Sequence, residues 1–165
     1  MINSTISSAI SKQIQHEQSS AHTYQAVSIY FDRINLHGLE AYMARQVDDE
    51  RMHAMKFIQH IADRGGQVEF MAITAPKSNL QSPLEAAKLI RDMERMTTSL
   101  INQLFELSRK EKDYPLEILL HWFITEQVEE EQWSSELLIE LEQFTGDHGQ
   151  LLTLDQRWGK RIAID

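Results

Sequence analysis

Apolar positions recur along this chain every three or four residues, the spacing of one face of an α-helix. One stripe runs Leu116, Leu120, Phe123, Gln127, Glu130, Ser134, Leu137, Leu141. A second runs Leu39, Met43, Gln46, Glu50, His53, Phe57. A third holds Glu17, Ala21, Tyr24, Ser28 and Phe31, and a fourth Ala87, Ile90, Glu94, Ile101 and Leu104. Each stripe predicts an amphipathic helix with this face on a core. Each also carries a carboxylate where an apolar side chain is expected.

The residues between the stripes set the helix limits. The first helix is predicted over about 4–33, with Asn3 or Ser4 as its cap. Asn35 and Gly38 mark a tight turn, so the second helix, about 36–64, returns antiparallel and stops at Gly65-Gly66. Residues 65–81 include Pro76, Ser78 and Asn79 and show no helical period. A connection this long can travel the length of a bundle. Ser82-Pro83-Leu84-Glu85 combines an N-cap, a first-turn proline and a capping-box glutamate, and opens the third helix, to about Lys110. After the Asp113-Tyr114-Pro115 junction the fourth helix runs to about 144, with Gly146 ending it. A short fifth helix is predicted over about 149–160, with Thr153 as a candidate cap. Its Leu151, Leu154 and Trp158 share one face, expected to pack against neighbouring copies. Two short turns and one long crossover between helices 2 and 3 specify an all-α four-helix bundle over about 4–145. One domain over 1–165 is expected.

Composition narrows the function. Hydrophobic residues make up 42% and charged residues 25% of 165 residues, the balance of a soluble globular chain. There is no cysteine, which excludes disulfides, thiolate metal sites and cysteine nucleophiles. The formal net charge is -9 and no basic run stands out, so no nucleic-acid partner is expected. No apolar stretch approaches membrane-spanning length, so no membrane partner is expected. The first residues have no charged, apolar signal pattern, and a cytoplasmic location follows as the default.

The inward carboxylates carry the chemistry. Glu50 and His53 are three residues apart, as are Gln127 and Glu130, so each pair shares a helix face. With Glu17, Glu50, Glu94 and Glu130 at one level, four carboxylates and one imidazole converge. Mutual repulsion raises their pKa values or expels them unless cations neutralise the group. One divalent ion leaves excess negative charge, so two are expected, with Glu50 placed to bridge them. Oxygen-rich ligation with a single imidazole suits iron or manganese, with zinc as a surrogate. Taken alone, one Glu in a stripe reads as an edge residue, and Glu129-Glu130-Glu131 as a solvated face. The coincidence on four helices favours a dimetal site. Tyr24, two turns after Glu17, reads as a core aromatic or as a participant. Trp122 and Trp133 read as packing residues, and His16, His22, His37, His60, His121 and His148 as surface residues.

Glu17 with Tyr24, Asp49-Glu50-Arg51-Met52-His53, Glu94, and Glu126-Gln127-Val128-Glu129-Glu130 resemble the motifs of non-haem bacterial-type ferritins, over essentially the whole chain. The resemblance implies iron storage and detoxification with ferroxidase activity, using O2 or H2O2. It implies two irons per subunit: one held by Glu17, Glu50 and His53, the other by Glu50, Glu94 and Glu130. Gln127 would hydrogen-bond beside the pair, and Tyr24 would supply an electron. Asp49, Glu126 and Glu129 occupy the places of a third iron site, with Asp49 where the family often has the longer Glu. A homo-oligomeric cage of 24 subunits is implied. Haem is not expected, because Arg51 stands where bacterioferritins place the haem-binding Met. Two other readings stay open: an isolated dimetal oxidase or peroxide detoxifier without storage, and a non-catalytic cage subunit.

Overall fold

The computed structural model describes residues 2–144 and 146–161. It is all-helical, with no strand among the described residues: α1 (Ser4–Arg33), α2 (His37–Asp63), α3 (Pro83–Lys110), α4 (Tyr114–Glu142) and α5 (His148–Arg161). The first α1 donors are satisfied by Asn3, whose side chain accepts from the Thr5 N–H at 2.8 Å. Asn35 turns the chain into α2 with φ of 60°, a left-handed conformation that Asn tolerates. α2 ends in a Schellman motif: Gly66 N donates to Ile61 O and Gly65 N to Ala62 O, both at 3.0 Å. Gly65 has φ of 68° there. Ser82 caps α3 by accepting from Glu85 N, and Asp113 caps α4 by accepting from Leu116 N, both at 3.1 Å.

α1 pairs with α2 and α3 with α4, and α1 also packs on α3. The crossover between α2 and α3 runs along α1. Ser7 Oγ donates to Gln67 O at 3.0 Å, Ser11 Oγ accepts from Glu69 N at 3.1 Å, and Gln15 Nε2 donates to Ala72 O at 2.5 Å. These three side chains lie one turn apart on α1, so each turn holds the strap one step further on. Where the α2 end meets the α3–α4 junction, Arg64 grips Asp113 through two parallel hydrogen bonds of 2.8 Å.

The core divides into two apolar clusters. Ile14, Ala54, Phe57, Ile101 and Phe123 belong to one, and Ala21, Tyr24, Val47, Ile90 and Trp133 to the other. On every bundle helix the chain changes cluster at an inward polar residue: Glu17 on α1, Glu50 and His53 on α2, Glu94 on α3, Gln127 and Glu130 on α4. These six are at most 6% exposed. They form a polar layer between two apolar halves.

The fifth helix corrects two expectations. Its cap is Asp147, whose side chain accepts from Gly149 N at 2.8 Å, while Thr153 lies inside the helix and donates to Gly149 O at 2.9 Å. Its apolar face packs on its own bundle, where an exposed patch was expected. Trp158 is fully buried, 5.0 Å from the Tyr42 ring and 6.1 Å from that of Trp133. Asp155 Oδ1 accepts from Leu39 N at 2.8 Å and so satisfies the α2 start, which has no side-chain cap of its own. The approach needs glycine: a Cβ on Gly38 would stand 2.0 Å from Asp155 O. α4 also stops earlier than its pattern, at Glu142, with Gln143 as C-cap. No helix of the described residues is long and apolar enough to cross a membrane.

Candidate metal centre

Spacing and burial bring the polar layer together. Ligand atoms of Glu17, Glu50 and His53 all lie within 4.8 Å of one another, the one such trio of potential metal ligands among the described residues. Glu50 Oε2 stands 3.4 Å from His53 Nδ1. The His53 ring is fixed edge-on between Trp122 and Phe123, at 5.5 and 5.7 Å between centroids. Three polar atoms of this trio have no hydrogen-bond partner: Glu17 Oε2, Glu50 Oε2 and His53 Nε2. Buried polar atoms are ordinarily paired. Buried unpaired oxygens on two carboxylates that converge with an imidazole fit a cation.

Glu94 and Glu130 face the same layer, and each has a donor. Tyr24 Oη donates to Glu94 Oε1. Gln127 Nε2 lies 3.3 Å from Glu94 Oε2 and 3.3 Å from Thr98 Oγ1. Trp133 Nε1 donates to Glu130 Oε2 at 2.5 Å. Trp133 thus does more than pack, and its i, i+3 spacing from Glu130 was the available signal.

The electrostatics record unneutralised crowding. Burial pushes Glu94 up to about 7, with the Glu17 charge adding to it, against hydrogen bonds from Tyr24 and Gln127. Glu50 is raised well above the ordinary carboxylate range by burial and then by the Glu17 and Glu94 charges. Glu130 is raised likewise by burial and Glu94, opposed by the Trp133 hydrogen bond. Burial lowers His53, against the Glu17 charge. Tyr24 is raised, by burial first and then by the charges of Glu94, Glu130 and Glu50, so it stays a phenol.

The remaining acidic candidates sit differently. Asp49 and Glu126 are half-buried and Glu129 is exposed. They do not converge as the trio does, and Arg45 Nε lies 3.6 Å from Asp49 Oδ2. Two histidines expected at the surface are half-buried and bonded. His16 meets Thr97 Oγ1 at 2.7 Å, and His60 meets Arg64 Nη1 at 2.9 Å. Both lie on helix flanks whose burial is decided by a neighbouring element.

A four-helix bundle with one long crossover and an acidic layer across its middle is the architecture of the ferritin-like class. The family described as Ferritin-like domain matches residues 7–144. The chain is 33% identical over 161 residues to a bacterial non-heme ferritin of Staphylococcus aureus (strain USA300), covering 98% of this chain and 97% of that one. It is 37% identical over 131 residues to the bacterial non-heme ferritin of Staphylococcus haemolyticus (strain JCSC1435), 79% of each. An open pore ferritin from the hyperthermophilic archaeon Archaeoglobus fulgidus superposes with a TM-score of 0.93 at 34% identity, covering 96% of this chain and 98% of that one. The chain belongs to the ferritin family.

Proposed function

We propose that this protein stores iron and oxidises Fe(II) to Fe(III) at the acidic layer, as a cytoplasmic homo-oligomeric cage of 24 subunits. Fe(II) is the substrate. Glu17, Glu50 and His53 hold one ion, Glu50, Glu94 and Glu130 the other, and Glu50 lies between them. The observation that carries this reading is the pair of unpartnered buried oxygens on Glu17 and Glu50, which converge with His53. A bundle that needed these residues only for packing would have satisfied them or replaced them. A non-catalytic cage subunit has no use for them.

The residues divide the work. The carboxyls of Glu50, Glu94 and Glu130 are protonated more readily than ordinary ones in the empty layer and release protons as cations enter. Two Fe(II) surrender one electron each. Dioxygen takes both with two protons to become H2O2, or H2O2 takes both with two protons to become two waters. Gln127 holds Glu94 in place. Tyr24, a buried phenol hydrogen-bonded to Glu94, can supply one of the two electrons to the oxidant in place of one Fe(II), its proton passing to that carboxylate. The resulting Fe(III) leaves for a cage cavity as oxide mineral. Asp49, Glu126 and Glu129 form at most a subsidiary position.

Two measurements test this. Crystals soaked aerobically in Fe(II) should show two metal positions about 3.5–4 Å apart, the usual dinuclear spacing, with Glu50 between them. Sedimentation velocity should show one large closed assembly. A full-length chain that sediments as a monomer or dimer while oxidising Fe(II) would replace storage with the isolated oxidase.

A further inference from the structure

Gln13 stands one turn before Glu17 on α1, and its Nε2 donates to Glu17 Oε1 at 2.8 Å. Gln13 is itself only 4% exposed, so water does not compete for this bond. Glu17 therefore has one oxygen engaged and the other, Oε2, without a partner. An amide Nε2 can only donate, so it holds a carboxylate oxygen without competing for a cation. The carboxylate torsion of Glu is broad and about two-fold. Without an outer donor, Glu17 could turn either oxygen, or both, toward the layer.

Gln13 also has a second neighbour. With Lys12 on α1 and Leu100, Gln103 and Leu104 on α3, it lines a groove of about 470 Å³ open to solvent. One amide side chain thus stands between solvent in the α1/α3 groove and the Glu17 carboxylate.

We infer that Gln13 is the positioning residue of the first metal position. Its N–H fixes Glu17 with a single oxygen free, and its side chain forms part of the wall between the α1/α3 groove and that carboxylate. The inference rests on the reading of Glu17, Glu50 and His53 as that position. A hydrogen bond to a charged acceptor in a water-poor site is stronger than a neutral one, and loss of such an outer partner lowers metal affinity by about 10–100-fold.

The test is anaerobic Co(II) titration of the full-length protein, followed by calorimetry and visible absorption. His53→Ala identifies the equivalent that belongs to the first position. Gln13→Leu keeps the volume and removes the donor, and Gln13→Asn keeps the amide but is one methylene too short to reach. Both should weaken that same equivalent by about 10–100-fold and change its absorption bands, leaving the other equivalent unchanged. If Gln13→Leu fails to fold, as judged by circular dichroism, Gln13→Asn decides alone. Wild-type affinity and spectrum in the folded variants would overturn the role of Gln13. So would equal weakening of both equivalents, which marks a general loss of structure. Failure of the wild-type protein to bind the Co(II) pair would instead overturn the reading of the site, and this inference with it.

Discussion

Two acidic groups lie side by side on α2 and α4, and they differ in solvation rather than in composition. Glu50 follows Asp49, and Glu130 follows Glu129, one step of about 100° around a helix. That rotation puts Glu50 and Glu130 in the layer between the two apolar clusters. It leaves Asp49 and Glu126 half-buried and Glu129 in water. Inside, burial is the first cause of every raised carboxyl, and Glu94 reaches about 7. Outside, Glu126 is raised by partial burial and by Glu129 and Asp49, but water and the Arg45 side chain beside Asp49 screen the group. Like residues on like helices thus hold unlike energies, and among the described residues of these two helices the buried unpartnered atoms lie in the inner set, on Glu50 and His53.

The largest expected effect separates the two groups by catalysis. Glu50→Ala should lower the initial rate of Fe(II) oxidation by more than the roughly 100-fold that loss of a supporting partner can cause. Glu129→Ala should leave the first turnover near wild type. Stopped-flow absorbance on the two variants is the measurement, and similar losses in both would erase the distinction between inner and outer carboxylates.

The next effect is on the stability of the metal-free protein. Glu94 binds its proton more tightly folded than unfolded, so folding is favoured while that proton is present. This stability is fully present below the unfolded value of 4.5 and is lost as pH rises toward about 7. The span corresponds to roughly 3 kcal/mol at 1.36 kcal/mol per pH unit. His53 acts in the opposite sense: its lowered pKa makes protonation unfavourable in the fold, so stability falls as pH drops below 6.5. Apo melting temperatures from pH 5 to 8 should therefore decline on the alkaline side in wild type. Glu94→Gln should make that decline shallower, leaving the part owed to Glu50 and Glu130 and the histidine-driven acid limb. An unchanged alkaline limb would mean that Glu94 is ionised in the empty protein.

The same burial explains how far the sequence could be read. All four stripes are buried, because an apolar period of 3.6 is set by each helix alone. The caps at Asn3, Ser82 and Asp113 are equally local. What escaped depends on partners distant in sequence. The Trp158 face looked available for another copy because nothing in α5 announces that Gly38 lets it approach α2 or that Asp155 will satisfy Leu39 N. His16 looked exposed because Thr97, which it meets, lies 81 residues away. Gln13, four residues before Glu17, had a usable spacing, but a glutamine at a helix edge is ordinarily solvated.

A smaller effect is expected from removing one charge without removing a hydrogen bond. The amide oxygen in Glu130→Gln can still accept from Trp133 Nε1, while the like charges of Glu94 and Glu126 lose a partner in repulsion. Apo stability at pH 7.5 should rise by about 1 kcal/mol, or roughly 2–4 °C in melting temperature for a chain of this size. Glu129→Gln, on the exposed side, should stay within about 0.5 kcal/mol of wild type. Differential scanning calorimetry of both decides. A fall in the melting temperature of Glu130→Gln would show that its charge is compensated within the empty layer.

The smallest effect concerns the outer group as a metal position. Asp49, Glu126 and Glu129 influence one another electrostatically, yet their oxygens do not converge as those of Glu17 and Glu50 do with His53. Asp49 is one methylene shorter than a glutamate, and Arg45 lies 3.6 Å from it. A third cation would have to displace that arginine and draw in the exposed Glu129, against side-chain entropy of about 1.5–2 kcal/mol for a long charged chain. Anaerobic Co(II) titration of wild type should therefore show two tight equivalents. Asp49→Glu should add a weak third, since the longer arm reaches toward α4, and 1 M NaCl should abolish that third equivalent first, because exposed charges are screened within about 3 Å at that ionic strength. A tight third equivalent in wild type that survives high salt would show that the outer carboxylates close around a cation despite their exposure, and burial would then no longer separate the two groups.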